Sequence, residues 1–189
     1  MNVDDFDDDY NIDDISKNKR KKKVNGKKKG NRTELDLTKI LSERFKESFS
    51  RTVGSGSRWS QANLPKHAAE VFSGDLVVPK NFKFTIESKG GYDSIDLGSI
   101  FSKGNKELDA FLDQATDDAK RCGRKPMLCW KRTRKPWIVF VHSNELDGKD
   151  FKYSVKYGKW TGVALELLLQ VENEFFLNIE QVDLGSTCS

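Results

Sequence analysis

The sequence predicts an α/β protein, with a central mixed β-sheet flanked by helices and a disordered, charged N-terminal tail ahead of it. Three observations carry that prediction. Helical apolar repeats alternate along the chain with short apolar or alternating runs of strand character. The first 32 residues hold seven aspartates and then ten Lys or Arg, and the run "KNKRKKKVNGKKKG" has almost no apolar residue, a composition that cannot bury a core. The chain's 189 residues suit one ordinary domain plus such a tail.

The elements follow in order. In "TELDLTKILSERFKESF", Leu35, Leu37, Ile40, Leu41, Phe45 and Phe49 fall at mostly helical spacing, with Thr33 placed as an N-cap. A short apolar patch, the loop "TVGSGSRWS" and a polar stretch from Arg58 to about Ser73 come next. "DLVV" and "FKFTIESK" bracket the turn-like "PKN" and predict a β-hairpin. From about Asn105 to Cys122 the residues Leu108, Phe111, Leu112, Ala115 and Ala119 share one side of a helix that Gly123 is placed to stop. "PMLCW" and "WIVFV" predict two buried strands joined by the basic turn "KRTRKP", and "TGVALELLLQVENEFF" predicts a closing helix. The expected organisation is a tail over 1–32 and a domain over 33–189, with a C-terminal extension from about 143.

Composition excludes several classes. No run of 18 or more apolar residues exists, so no membrane-spanning helix is expected. The N-terminus is acidic rather than basic-then-apolar, unlike a secretory signal. Cys122, Cys129 and Cys188 form no CxxC pair, and His67 and His142 are the only histidines, which argues against a Cys/His zinc site and for a reduced, intracellular protein in cytoplasm or nucleoid. The tail contributes +3 of the net +4, so the folded part is nearly neutral. Its lysine run suits an arm that meets nucleic-acid phosphates without reading sequence, or a solubility tail or localisation signal. Cys122, Cys129, Trp130, Trp137 and His142 are expected to pack rather than react.

The chemistry concentrates in "FKFTIESK". Phe82, Phe84 and Ile86 point one way, while Lys83, Thr85, Glu87 and Lys89 point the other, and a polar face on a core strand needs a reason. Asp75 begins the preceding strand, and an odd hairpin loop would pair it with Thr85, on the same face as Glu87. Two carboxylates converging from neighbouring strands repel each other. A hard divalent cation, Mg²⁺ or Mn²⁺, relieves the repulsion. The plainer reading is a Glu87–Lys89 surface salt bridge beside an ordinary strand-initiating aspartate.

The stretch "GDLVVPKNFKFTIESK" resembles the core of the PD-(D/E)XK nuclease superfamily, with Gly74 where the family often has proline. Upstream, "KGNRTELDLTKIL" and "SRTVGSGS" are similar to the first helix and the glycine-serine loop of archaeal-type Holliday junction resolvases. Downstream, "LDQATDDAKRCGRKPMLCW" resembles that family's helix and following strand. The similarity spans about residues 29–141. It implies a restriction-endonuclease-like core and a metal-dependent endodeoxyribonuclease acting on branched DNA as a homodimer. Glu34, Asp75 and Glu87 would stand around the metal, Lys89 would be the catalytic lysine, and Gln114 would lie toward the DNA. Departures from the family pattern are the longer loop from Arg58 to Ser73, the extension after Val141 and the tail.

The glycine loop lacks the GxxxxGK[ST] spacing of a nucleotide P-loop, so no nucleotide cofactor is expected. Backbone N–H groups of Gly54 and Gly56 with Ser55 and Ser57 suit a phosphodiester clamp, Arg58 adds charge, and Trp59 is either core or a stacking platform. Lys131, Arg132 and Arg134 project from the basic turn toward a second phosphate or toward solvent. Rival readings are another PD-(D/E)XK DNA nuclease, of restriction-like, repair or exonuclease type, a non-catalytic DNA-binding module of the same fold, and an adaptor. The small size, lysine-rich tail and stand-alone nuclease domain would suit a phage or other virus.

Overall fold

A computed structural model describes residues 26–52, 74–95, 98, 100 and 104–178. Helix α1 (Gly26–Phe45) buries Leu37, Leu41 and Phe45. It leads into β1 (Ser50–Arg51), which pairs antiparallel with β2 (Leu76–Val77). Strand β3 (Phe84–Gly90) is followed by helix α2 (Lys106–Cys122). Both ends of α2 are chemically fixed. Asn105 Oδ1 accepts from the N–H groups of Glu107 and Leu108, and Gly123 closes the last turn at φ 69°, a left-handed conformation suited to glycine.

Strands β4 (Lys125–Lys131) and β5 (Trp137–His142) and a 3₁₀ turn (Ser143–Leu146) come next. The remaining elements are β6 (Ser154–Tyr157), β7 (Trp160–Ala164) and the single-turn helices α3 (Leu165–Leu168) and α4 (Asn173–Phe176). Five strands form one mixed sheet in the order β3-β4-β5-β7-β6. The β3–β4 pair, joined through α2, is parallel and every other pair is antiparallel. No described helix is long and apolar enough to cross a membrane.

Strand alternation divides the core in two. Ile86, Met127, Cys129, Val139 and Val141 face α1 and the C-terminal helices. Leu128, Trp130 and Phe140 face α2, with Leu108, Phe111, Leu112 and Ala115. The first layer contains a ring cluster in which Phe45 lies 4.9 Å from Phe176 and Phe49 lies 5.2 Å from Phe82, between centroids. Edge-to-face pairs of this kind add about 0.5–1.5 kcal/mol each beyond area burial. The chain end returns to the start of β3, where the N–H of Lys83 donates to the carbonyl of Phe176 at 2.7 Å.

Four sequence expectations are corrected. Helix α1 begins at Gly26, so Thr33 lies inside it rather than capping it, and the last residues of the expected tail are helical. The hairpin of "DLVV" with "FKFTIESK" is not a ladder, since β2 pairs with β1. The Asp75–Thr85 register is therefore absent. The expected closing helix begins as β7, because pairing with both β5 and β6 overrides its helical pattern. Gly162 permits that pairing, since a Cβ there would come within 2.7 Å of the Phe140 ring. Strand β6, not foreseen, completes a hairpin through Gly158 at φ 56°.

Candidate active site

Strand β3 lies at an edge of the sheet and carries different chemistry on its two faces. Phe84 and Ile86 enter the layer beneath α1, while Thr85, Glu87 and Lys89 face α2. Residues two apart on a strand are about 6.6 Å apart, and residues four apart on a helix rise about 6 Å, so strand and helix ladders can match. They do here. Lys89 Nζ donates to Gln114 Oε1 at 3.0 Å and sits 5.2 Å from the centre of the Phe111 ring. Farther along, Cys122 Sγ lies 2.7 Å from Thr85 Oγ1.

Asp75 reaches the same place by a different route. Its N–H donates to the carbonyl of Ile86 at 2.9 Å, and its Oδ2 accepts from the N–H of Ser88 at 2.9 Å. Those two groups point out of the same edge of β3, so the aspartate replaces one rung of a ladder with its side chain. The carboxylate is thereby carried to Glu87. Gly74 makes the approach possible: it stands at φ 80°, where a Cβ would meet the Ile86 carbonyl oxygen at 2.6 Å. Proline, fixed near φ of about −65°, could not occupy it.

Glu34 is buried on α1, and its Oε2 accepts from Arg51 Nε at 2.5 Å. Arg51 Nη2 also donates to Asn31 Oδ1 at 2.8 Å. Close packing seats this part of α1 over the end of β3, where a Cβ on Gly90 would lie 2.3 Å from Thr33 Oγ1. The charge of Glu34 is felt at Asp75.

The electrostatics of the acid pair are unfavourable without a counter-ion. Burial, opposed by the Ser88 N–H and the Lys89 ammonium, lifts the Asp75 carboxyl to about 6. Burial first, and then the charge of Asp75, raises Glu87 well above the carboxylate range. Lys89 Nζ lies 2.5 Å from Glu87 Oε1, a close ion pair. Apart from that ammonium and the Asp75 carboxyl, neither buried Glu87 oxygen meets a donor. Burial, the largest effect, works against the Lys89 ammonium, but the charge and hydrogen bond of Glu87 together with the charges of Asp75 and Tyr92 outweigh it, and the pKa is raised.

Buried carboxylate oxygens short of hydrogen-bond donors fit a hard cation, which takes up the lone pairs that no N–H binds. Among the described residues no three His, Cys, Asp or Glu side chains are grouped closely enough to hold a metal ion. The fit is thus to a two-carboxylate cradle, the arrangement in which Mg²⁺ keeps water and phosphate oxygens as its other ligands. A separate cleft of about 530 Å³, lined by Asp109, Asp113, Tyr157 and Lys159, contains none of these groups.

The family model described as "Phage putative PDDEXK endonuclease" matches residues 25–181. The chain belongs to this family. It is a nuclease of the PD-(D/E)XK type, a DNA endonuclease by family, and such enzymes generally use divalent metal ions. The nuclease is 25% identical over 126 residues to Protein D14 of Escherichia phage T5, across 65% of this chain and 74% of that protein. Among solved structures it is similar to Hjc, a Holliday junction resolvase of Archaeoglobus fulgidus. That match has 17% identity and a TM-score of 0.36, and covers 73% of this chain and 90% of that one.

Of the residues singled out in the nuclease's sequence, the structure gathers Asp75, Glu87, Lys89 and Gln114, with Glu34 held nearby by Arg51. The loop residues Gly54, Ser55, Gly56, Ser57, Arg58 and Trp59 lie outside the described residues, as does His67. Lys131, Arg132 and Arg134 flank or form the β4–β5 turn, next to the end of β3. The turn is tied down by Asp93, whose Oδ1 accepts from the N–H of Thr133 at 2.7 Å. Arg134 stands exposed at φ 58°. Trp130, Trp137 and Cys129 are buried, and His142 packs on Trp160 with ring centres 4.3 Å apart. Sequence reading missed Arg51 and Asp118. For Asp118 a signal existed: it follows Gln114 by one helical turn and so shares its face.

Proposed function

We propose that the nuclease hydrolyses phosphodiesters in branched DNA as a metal-dependent, structure-specific endonuclease of the Holliday junction resolvase type, working as a homodimer. One observation carries the hydrolytic part. Glu87 is 1% exposed, beside the carboxylate of Asp75 and the ammonium of Lys89, with no further donor on either oxygen. Structural stability alone gives no reason to bury such a set. Glu87, Ser88 and Lys89 supply the D/E-X-K part of the family motif and Asp75 its first acid.

Mg²⁺ or Mn²⁺, held by Asp75 and Glu87 with Glu34 beside them, would polarise the scissile phosphate and lower the pKa of a bound water. The remaining work belongs to the chain. Lys89, kept protonated by its acidic neighbours, faces the negative charge that develops as water attacks phosphorus in line. The P–O3′ bond breaks as the new P–O bond forms, leaving a 5′-phosphate and a 3′-hydroxyl. Gln114 holds the ammonium in place from α2. Lys131, Arg132 and Arg134 present positive charge at the same end of β3 for the DNA backbone.

The preference for branched DNA is supported by the resolvase-like segments around Glu34 and the glycine-serine loop, and a homodimer suits a junction with two symmetric scissile strands. The test is cleavage of a labelled four-way junction and a matched linear duplex with Mg²⁺ or Mn²⁺, with EDTA and Glu87→Ala as controls. Paired symmetric nicks in the junction are expected, and both controls should abolish them. Equal cutting of both substrates would remove the junction preference and leave a general nuclease. Binding without metal-dependent cutting would mean a DNA-binding module that has lost turnover.

A further inference from the structure

The face of α2 that closes over the site carries one more acid than the proposed chemistry uses. Asp118 is only 7% exposed. It lies one turn after Gln114, which accepts from Lys89, and one turn before Cys122, which touches Thr85. That bracketing sets Asp118 opposite Glu87, the residue of β3 between Thr85 and Lys89. Its charge acts on both Glu87 and Lys89.

Burying an acid at this position is costly. Asp118 pairs with Arg121 at 2.9 Å, but the Arg121 side chain is 44% exposed and three residues away on the same helix. Solvent screens a partner that exposed, so the pair offsets only part of the cost of burying the acid. Burial outweighs Arg121 and Lys89 in setting the proton affinity of Asp118, which is raised. An alanine or leucine would fill the helix–sheet contact without the desolvation.

The need for a second acid appears once Glu87 is engaged. In this structure Glu87 is the anion closest to the Lys89 ammonium, at 2.5 Å. A cation on Glu87 competes for that carboxylate and repels the ammonium, and Gln114 offers only a neutral acceptor. We propose that Asp118 is a positioning residue for Lys89: set opposite Glu87, it keeps a negative charge beside the ammonium when a divalent cation takes up the charge of Glu87. This rests on the hydrolytic reading of Glu87 and Lys89.

The test compares wild type, D118N and D118S on whichever DNA the wild type cuts, with Glu87→Ala as the inactive control. Cleavage kinetics, Mn²⁺ affinity by calorimetry and thermal melting are read together. Positioning predicts that kcat falls on the order of 10- to 100-fold, with KM and Mn²⁺ affinity little changed and Tm not lowered. The isosteric and the smaller variant together prevent one misfolded protein from deciding the result. Wild-type kcat in either variant overturns the inference. So does loss of activity that only accompanies a lowered Tm, which would mark Asp118 as a packing residue. Wild type that cuts no DNA would instead overturn the hydrolytic reading, and this inference with it.

Discussion

Asp75 shows how a single side chain can organise the site. By donating from its backbone and accepting through its carboxylate along one edge of β3, it places its charge beside Glu87. Its carboxyl is raised from 3.8 to about 6, so the folded protein holds that proton longer than the unfolded chain. The stabilising contribution is present below about pH 3.8 and is lost as pH rises through about 6. At neutral pH the ionised form costs on the order of 3 kcal/mol. Asp75→Asn, which can still accept from Ser88, should therefore raise the Tm at about pH 7.5 and leave it nearly unchanged at about pH 3.5. Melting curves at both pH values check this, and a lower Tm at neutral pH would contradict it. Glu34 gives a second test at this scale. Arg51→Ala removes two hydrogen bonds, one to Glu34 and one to Asn31. DNA cleavage should fall about 10-fold or more if Glu34 must be held by its partner.

Among the elements, β3 and α1 do most to assemble the site, and each makes a testable contact. Gly90→Ala would drive a Cβ to within 2.3 Å of Thr33 Oγ1. It should destabilise by about 1–3 kcal/mol, as overpacking does, and weaken cleavage by lifting Glu34 away; chemical denaturation and the cleavage assay read the two effects. At its other end α1 holds the C-terminal segment through Arg44, which donates to Leu169 O at 2.7 Å, Asn173 Oδ1 at 2.9 Å and Val171 O at 3.1 Å. Arg44→Ala should lower stability by about 2–4 kcal/mol with little change in cleavage rate well below its Tm.

The same elements show what could be read from the chain beforehand. In β3 each face makes its own chemical demand, so alternation alone exposed Phe84, Ile86, Glu87 and Lys89. Helix α2 announced itself through Asn105, its apolar face and Gly123. The link between Asp75 and β3 was illegible in detail, because a side-chain hydrogen bond replaces a backbone rung and the strand pattern does not record it. Strand β7 was misread because a leucine-rich run satisfies a helical repeat, and only its pairing with β5 and β6 decides otherwise. Asp118 looked like an ordinary helix acid until α2 was laid along β3.

For the whole molecule, two helical layers cover the faces of the sheet while the acidic pair sits at its β3 edge, where among the described residues no further strand extends the five-stranded ladder and Asp75 bonds in its place. A nucleic-acid backbone can approach such an edge, and the basic β4–β5 turn stands at the same end. The account therefore depends on what the buried Asp75–Glu87 pair is for. Mn²⁺ binding by calorimetry, comparing wild type with Glu87→Gln at neutral pH, tests this most directly. The account predicts saturable binding to the wild type and loss of that binding in the variant. Equal binding by both proteins, or none by the wild type, would contradict it.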